Sequence, residues 1–306
     1  MNSTYAIVDS KTAIIECASI VGLVQVPTNQ RNPDITTSFG IGEVMIDALN
    51  KGCTSFIIGL GGSATNDGGL GMLLALGMKA WDKHENVVGP FGKDIHNVRK
   101  VSFSDIDSRL MESTIKVACD VDNPHCGIKG ATNIYGSQKG ATKNQIHEYD
   151  KALNVYADTI ESVIGKSIKN DPGAGAAGGI GFALLSIGGT LVSGAELLAH
   201  AMKIEDEIQD ADLVITGEGQ SDEQTLYGKA PGYIAELAGK YNVPTVLISG
   251  SVIGDVDALG ERFAGCFSII NQPLPLDKCI EQADVMLYQQ IKQVIKLMGP
   301  NLVNID

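Results

Sequence analysis

Ser55–Leu60 reads SFIIGL, Gly61–Gly69 reads GGSATNDGG, and Leu70–Ala80 continues as LGMLLALGMKA. The first run is short, apolar and rich in β-branched and aromatic residues, which is the pattern of a buried strand. The last has apolar residues at helical spacing. Between them lie four glycines and four polar side chains. Glycine lets the backbone take positive φ and approach a ligand closely. Ser63, Thr65 and Asn66 supply donors, Asp67 a carboxylate, and the free N–H groups of the following helix favour an anion. The plain alternative is a structural turn with Asp67 as helix cap. A cap needs fewer glycines and fewer polar groups than stand here, so the segment reads as a strand–loop–helix unit that holds an anion, phosphate being the best fit.

The same pattern recurs outward along the chain. Asp212–Thr216 (DLVIT) runs into GEGQSDEQT and then the helical PGYIAELAGKY. Pro244–Ser249 (PTVLIS) ends in GSVIG, Ala264–Ile270 (AGCFSII) ends at Asn271-Gln272, and Ala283–Met298 reads as a last helix. Strands alternating with helices imply a parallel sheet with right-handed crossovers, and ligands then sit beyond the carboxyl ends of the strands. The middle differs. KAWDKHENVVGP, residues 79–90, reads as a hairpin with a polar turn. Ile115–Cys119 reads as a strand, and Gln145–Ile164 and Gly178–Ile187 as helices. The expected fold is α/β in two lobes. A Rossmann- or flavodoxin-like parallel-sheet lobe comprises about 1–78 with 205–306, and a smaller lobe carrying the hairpin comprises about 79–204.

Three further loops carry candidate chemistry. Thr216–Thr225, followed by Gly228-Lys229-Ala230-Pro231, places carboxylates and hydroxyls at the end of a strand, with Lys229 before a proline-started helix. A solvated acidic loop is the alternative. In Ala118–Pro124 (ACDVDNP), Asp120 and Asp122 share a face of an extended segment, a pattern that suits Mg²⁺ or an ordinary turn equally. Gly173, Gly175 and Gly178 satisfy GxGxxG, but the preceding SIKND is polar and supplies no strand. The dinucleotide fingerprint is therefore weak, and close helix packing is as good a reading. Arg31 and Lys139, in polar stretches, are candidates to clamp a carboxylate or phosphate.

The 306-residue chain is long enough for about two domains, and its composition is ordinary except for 36 glycines clustered at loops. A net charge of −13 argues against a nucleic-acid or anionic-membrane partner. Six scattered cysteines without a CxxC read as buried free thiols and fit a reducing cytoplasm. No apolar run reaches the ~18 residues of a membrane span. A P-loop, protein-kinase motifs and a GxSxG elbow are absent, and the five histidines show no metal spacing.

Taken in order, RNPDITTSFG (Arg31–Gly40), GLGGSATNDGG (Gly59–Gly69), ACDVDNP, YGSQKGA (Tyr135–Ala141), GAGAAGGIG (Gly173–Gly181) and ITGEGQSDEQTLYGKAP (Ile215–Pro231) resemble the bacterial glycerate kinases of the first type. The resemblance covers nearly the whole chain. It implies ATP- and Mg²⁺-dependent phosphorylation of D-glycerate, usually to 2-phosphoglycerate, by direct phosphoryl transfer. On that mechanism Asp222 or Asp67 accepts the hydroxyl proton, Lys229 offsets charge on the transferring group, and Asp120 and Asp122 hold Mg²⁺. Substrate and phosphate contacts fall at Arg31, Thr37, Ser38, Gly61, Gly62, Ser63, Thr65, Asn66, Gly68, Lys139, Gly175, Gly178, Gly217, Glu218, Gly219, Gln224 and Thr225. Many members carry arginine where this chain has Gln220. The family's opening strand, reading like APDSFK, and its ADGGEGT motif have no counterpart in the sequence. If that strand is interior to the sheet, an exposed apolar groove, a gap in the sheet, or pairing with another copy is expected. A dinucleotide-dependent oxidoreductase and a non-catalytic small-acid binder are the readings from other classes.

Overall fold

The computed structural model describes residues 4–226 and 229–298. It divides into two compact units, 1–192 and 193–306. In the first, strands β1 (Ala6–Val8), β2 (Thr12–Glu16), β3 (Ser55–Gly59), β4 (Lys79–Trp81), β5 (Lys100–Ser102), β6 (Thr114–Ala118) and β7 (Thr190–Val192) accompany helices α1 (Cys17–Val21), α2 (Phe39–Asn50), α3 (Leu70–Ala75), α4 (Ala131–Tyr135), α5 (Lys143–Ile164) and α6 (Ala176–Ser186). The main sheet has the order β1-β2-β3-β6-β7. All of its pairings are parallel except β1 with β2. Phe56 and Ile58 on β3 and Ile115 and Val117 on β6 point alternately into the core, as the period of two requires.

This arrangement keeps the expected α/β class with parallel sheets but changes the lobes. The strand at 55–59 pairs with 114–118, which in turn pairs with 190–192, so residues 1–78 join 79–192 and not 205–306. The reason is physical: local periodicity marks a strand, whereas sheet membership is decided by long-range pairing. The hairpin is present, and it too belongs to the larger unit. Asp82 turns the chain back through a backbone bond from its N–H to the Asn86 carbonyl (2.9 Å), and β4 pairs antiparallel with β5. Helix α5 begins in a capping box. The Thr142 hydroxyl accepts from the Gln145 N–H (3.2 Å), and the Gln145 amide oxygen accepts from the Thr142 N–H (2.9 Å). Its buried Tyr149, Ala152, Leu153, Tyr156, Ala157 and Ile160 recur at three- and four-residue intervals.

The second unit holds β8 (Val214–Thr216), β9 (Gln220–Ser221), β10 (Thr245–Ser249), β11 (Ser251–Val252) and β12 (Gly265–Ser268), with α7 (Gly194–Ala201), α8 (Ile204–Gln209), α9 (Ala230–Lys240), α10 (Val256–Gly260), α11 (Leu276–Glu281) and α12 (Ala283–Leu297). Its sheet order is β12-β10-β8, all parallel. Every residue of the central β10 is buried. One face of this sheet, with α11 and α12, borders an open apolar groove of about 730 Å³, lined by Ile215, Ile248, Ile269, Leu276, Ile280 and Leu287 among others. Among the described residues β8 pairs with β10 alone, which leaves it an edge strand. The main sheet of each unit is continuous among the described residues. All six cysteines are free, three buried and three half-buried. No helix among the described residues is long and apolar enough to cross a membrane.

Helices α2 and α3 approach most closely at Gly42. A Cβ there would stand 2.5 Å from the Met72 carbonyl oxygen and 2.6 Å from the Ala75 methyl group. Gly42→Val is therefore expected to destabilise the chain by about 1–3 kcal/mol, the usual cost of overpacking a close contact. A lower urea midpoint at unchanged slope is the expected reading; an unchanged midpoint would mean that the helices separate without cost.

Candidate functional site

In the first unit, the loop after β3 is built around one carboxylate. Asp67 is fully buried, and its Oδ2 accepts from the Ser38 N–H (2.7 Å), the Ser38 hydroxyl (2.7 Å) and the Gly71 N–H (3.3 Å). Its Oδ1 accepts from the Gly69 N–H (3.1 Å). The Ser38 hydroxyl in turn accepts from the Met72 N–H (2.9 Å). One carboxylate thus serves the first turns of both α2 and α3, where N–H groups lack helical partners. Burial pushes its carboxyl above the usual carboxylate range, against the pull of the bonds from Ser38, Gly69 and Gly71. Asp67 is fully enclosed, is engaged by these donors and organises the loop.

Beyond this loop lies a pocket of about 220 Å³, lined by Gly61, Gly62, Ser63, Asp120, Tyr135 and Lys139 among others. The Lys139 side chain is only 3% exposed. Its ammonium donates to the Ser63 hydroxyl (3.0 Å) and the Thr65 carbonyl (2.6 Å), both neutral. Burial lowers the Lys139 pKa to about 8, although Asp67 and Cys17 act in the opposite direction. A buried ammonium with neutral partners attracts an anion. Tyr135, quoted within a motif but not singled out from the sequence, donates to the Asn123 Oδ1 (2.6 Å) at the same wall.

Several expected contact residues turn inward. The Arg31 guanidinium donates to the carbonyls of Val26 (3.3 Å), Leu23 (3.4 Å) and Gln138 (3.1 Å). It braces the backbone beside the pocket with three of its five N–H donors. Thr37 donates to the Pro90 carbonyl (2.6 Å), and Ser38 serves Asp67. Thr65 and Asn66 are buried, and the Asn66 amide donates to Thr132 (2.9 Å). Gly68 is packed against Ile95, Leu153 and Tyr156. Gly175 abuts the Pro124 carbonyl and Gly178 the Thr65 carbonyl, so these glycines serve close packing, while Ala176 and Ala177 reach the pocket. No strand enters Gly173: residues 167–171 are irregular. Asp120 and Asp122 are both exposed; Asp120 lines the pocket and Asp122 lies outside it.

In the second unit, the loop after β8 carries the other constellation. Gly217 packs against the Ile248 carbonyl, and β9 pairs with β11, which fastens residues 217–221 to 249–252. Glu218 and Asp222 flank Lys229, each 3.7 Å from its ammonium. Lys229 caps α9, whose Pro231 lies in the first turn. Gln224 is exposed, and its N–H donates to Asp222 Oδ1 (2.9 Å). Thr225 is fully buried, and its hydroxyl donates to Glu218 Oε1 (2.6 Å). Gly219 and Gln220 line the apolar groove. The Tyr227-Gly228 step of the motif lies outside the described residues. Among the described residues, no group of three or more His, Cys, Asp or Glu gathers as for a metal.

Parallel α/β sheets, a small pocket holding a buried ammonium and a loop-and-helix start carrying a second lysine have the form of an α/β enzyme of small molecules. The family model described as "Glycerate kinase family" matches residues 1–299. The glycerate 2-kinase of Escherichia coli K12 is 44% identical over 277 residues, covering 90% of this chain and 73% of that protein. The glycerate kinase of Halalkalibacterium halodurans is 41% identical over 288 residues, covering 94% of this chain and 76% of that protein. A crystal structure assigned as glycerate kinase 2 from Salmonella typhimurium LT2 superposes with a TM-score of 0.76 at 39% identity, covering 96% of this chain and 80% of that one. The chain belongs to the glycerate kinase family.

Asp67→Asn replaces one acceptor oxygen by a donor facing N–H groups. It is expected to cost about 2–4 kcal/mol of stability, with Ser38→Ala costing about 1 kcal/mol. Urea unfolding reads both. An Asp67→Asn protein as stable as the parent would remove the carboxylate from this organising role.

Proposed function

We propose that the chain transfers the terminal phosphoryl group of ATP to a hydroxyl of D-glycerate, giving 2-phosphoglycerate. The observation that carries this reading is the buried Lys139 ammonium in the small first-unit pocket. Lys139 receives the acid's carboxylate, and Ser63 fixes the ammonium's direction. Asp120, on the same pocket wall, takes the proton of the reacting hydroxyl. It replaces Asp222 and Asp67 in this role, because Asp67 is enclosed and Asp222 flanks Lys229. In the second unit, Lys229 and the start of α9 receive phosphate oxygens.

Mg²⁺ binds through one or two carboxylates plus phosphate oxygens. With Asp120 given to the hydroxyl, Asp122 is the remaining carboxylate on that loop, which fits a metal carried mainly by the nucleotide. When bound, Mg²⁺ offsets charge on the transferring group. The protein's own part is positioning and electrostatics.

The direct experiment incubates the full chain with ATP, Mg²⁺ and D-glycerate and follows ADP release and the phosphorus NMR spectrum of the product. Glycerate-dependent ADP release with phosphate on the C2 hydroxyl is expected, and ADP release indifferent to glycerate would sink the reading. Asp120→Asn is expected to lower kcat by about 10² or more without unfolding the chain. The Lys139 pKa near 8 sets a pH dependence: the ammonium is charged below that value and neutral above it. KM for glycerate should therefore rise as the pH passes upward through about 8. Lys139→Met should raise KM at every pH and abolish that rise; a parent KM that stays flat to pH 9.5 would remove Lys139 from carboxylate binding.

A further inference from the structure

The second-unit loop contains a set of hydroxyl groups whose work lies inside the protein. Ser221 and Ser249 are 0% and 1% exposed, and their hydroxyl oxygens are 2.6 Å apart. Ser221 also donates to Glu218 Oε1 (3.1 Å), and Thr225 donates to the same oxygen (2.6 Å). Thr225 Oγ1 accepts from the Asp222 N–H (3.1 Å), which fixes the direction of its own proton toward Glu218. The other Glu218 oxygen, Oε2, is the one nearest Lys229.

We propose that Ser249, Ser221 and Thr225 form a hydroxyl clamp that holds one oxygen of Glu218 and turns the other toward Lys229, so that the Lys229 ammonium is positioned to receive phosphate. Two side chains, Ser221 and Thr225, spend their donors on one carboxylate oxygen from inside the fold, and Ser249 backs Ser221. With Ser221 donating to Glu218, Ser249 must donate to Ser221 in the pair they share, because one hydroxyl has one proton. The result is a relay Ser249 → Ser221 → Glu218, closed on the other side by Thr225. A carboxylate so held keeps one orientation at small entropic cost, and charge-assisted bonds of this kind are the stronger ones.

Lys229 needs such a guide. Its four-carbon stem is flexible, and both flanking carboxylates stand at 3.7 Å, beyond hydrogen-bond length. The ammonium is thus located by the direction of charge rather than by a bond, and it stays free to move onto an arriving phosphate. If Glu218 rotates, the ammonium drifts toward Asp222 or into solvent. Asp222 Oδ1, at the same distance from the ammonium, also accepts from the Gln224 N–H and has no hydroxyl clamp of this kind. The three hydroxyl residues touch no substrate in this account; they are positioning residues, and they act through Glu218.

This inference rests on the reading of Lys229 as a phosphate ligand, so Lys229→Met is measured in parallel. Thr225→Val keeps the shape and removes the donor. It is expected to lower kcat about tenfold, the value of one such hydrogen bond, while KM for glycerate stays within about twofold. Thr225→Ser should restore most of the loss. Ser249→Ala should lower kcat similarly, and the double variant should lose less than the product of the two, because both act on one carboxylate. Thermal melts accompany each variant. A full kcat in Thr225→Val and Ser249→Ala while Lys229→Met is crippled would overturn the clamp alone. A full kcat in Lys229→Met would overturn the underlying reading of the lysine. A kcat loss in Thr225→Val that tracks its melting temperature and is not rescued by serine would reduce the clamp to a stability device.

Discussion

The first unit depends on the buried carboxylate of Asp67. Two helices, α2 and α3, begin within a few residues of it in space, and both present N–H groups that have no partner in their own helix. Burying a carboxylate is costly. The cost is offset here by short donors from Ser38 and further donors from Gly69 and Gly71, and by the positive ends of two helices. The loop between β3 and α3 is therefore fixed at its far end. Its near end, Gly61–Ser63, can then present a set surface to Lys139. The anion-binding character of this segment is real, but the anion its helices hold is the protein's own.

The two lysines of the proposed chemistry sit in opposite electrostatic settings. Lys139 is enclosed, and its bonding partners are neutral oxygens. It lacks a counter-charge in contact, and a small acid supplies one. Lys229 is half-exposed and already flanked by two carboxylates. On the proposed function, an arriving phosphate would share that charge with the two carboxylates. On the proposed function, a chain with a net charge of −13 meets anionic substrates through two lysines and a helix start rather than through many basic residues.

The strand–loop–helix units were legible because their signals are local. SFIIG at Ser55–Gly59, TVLIS at Thr245–Ser249 and the helix at Ala283–Leu297 fall within a residue or two of the sequence reading. Which strands share a sheet was not legible, since β3 and β10 carry the same pattern and only pairing separates them. The strand β2 escaped notice altogether. Ile14 and Ile15 stand side by side on it, one exposed and one buried, so the apolar pair masks the alternation. Within the site, composition misled in one consistent direction. Thr37, Ser38 and Arg31 have the chemistry of ligand contacts, yet their donors satisfy backbone carbonyls and Asp67. A tight glycine-rich turn needs internal partners as much as a ligand does, and the sequence does not say which need a given hydroxyl meets. Ser249 illustrates the converse. Nothing marks a serine at the end of a strand, and only its approach to Ser221 reveals the relay.

The burial that makes Lys139 receptive also links binding to protons. Desolvation holds its pKa near 8, well below an ordinary lysine, because the charged form lacks water and lacks a counter-ion. A bound carboxylate supplies that counter-ion and stabilises the charged form, so the pKa must rise on binding. Near pH 8 about half of the free protein carries a neutral Lys139, and each such molecule takes up a proton as the acid binds. Calorimetric titration with glycerate in two buffers of different ionisation enthalpy should report an uptake of about half a proton at pH 8, falling toward zero by pH 6. In Lys139→Met the uptake should vanish at both values. A parent protein that binds glycerate at pH 8 with no dependence on buffer would mean that the carboxylate rests elsewhere, and that the pocket's buried charge serves the fold alone.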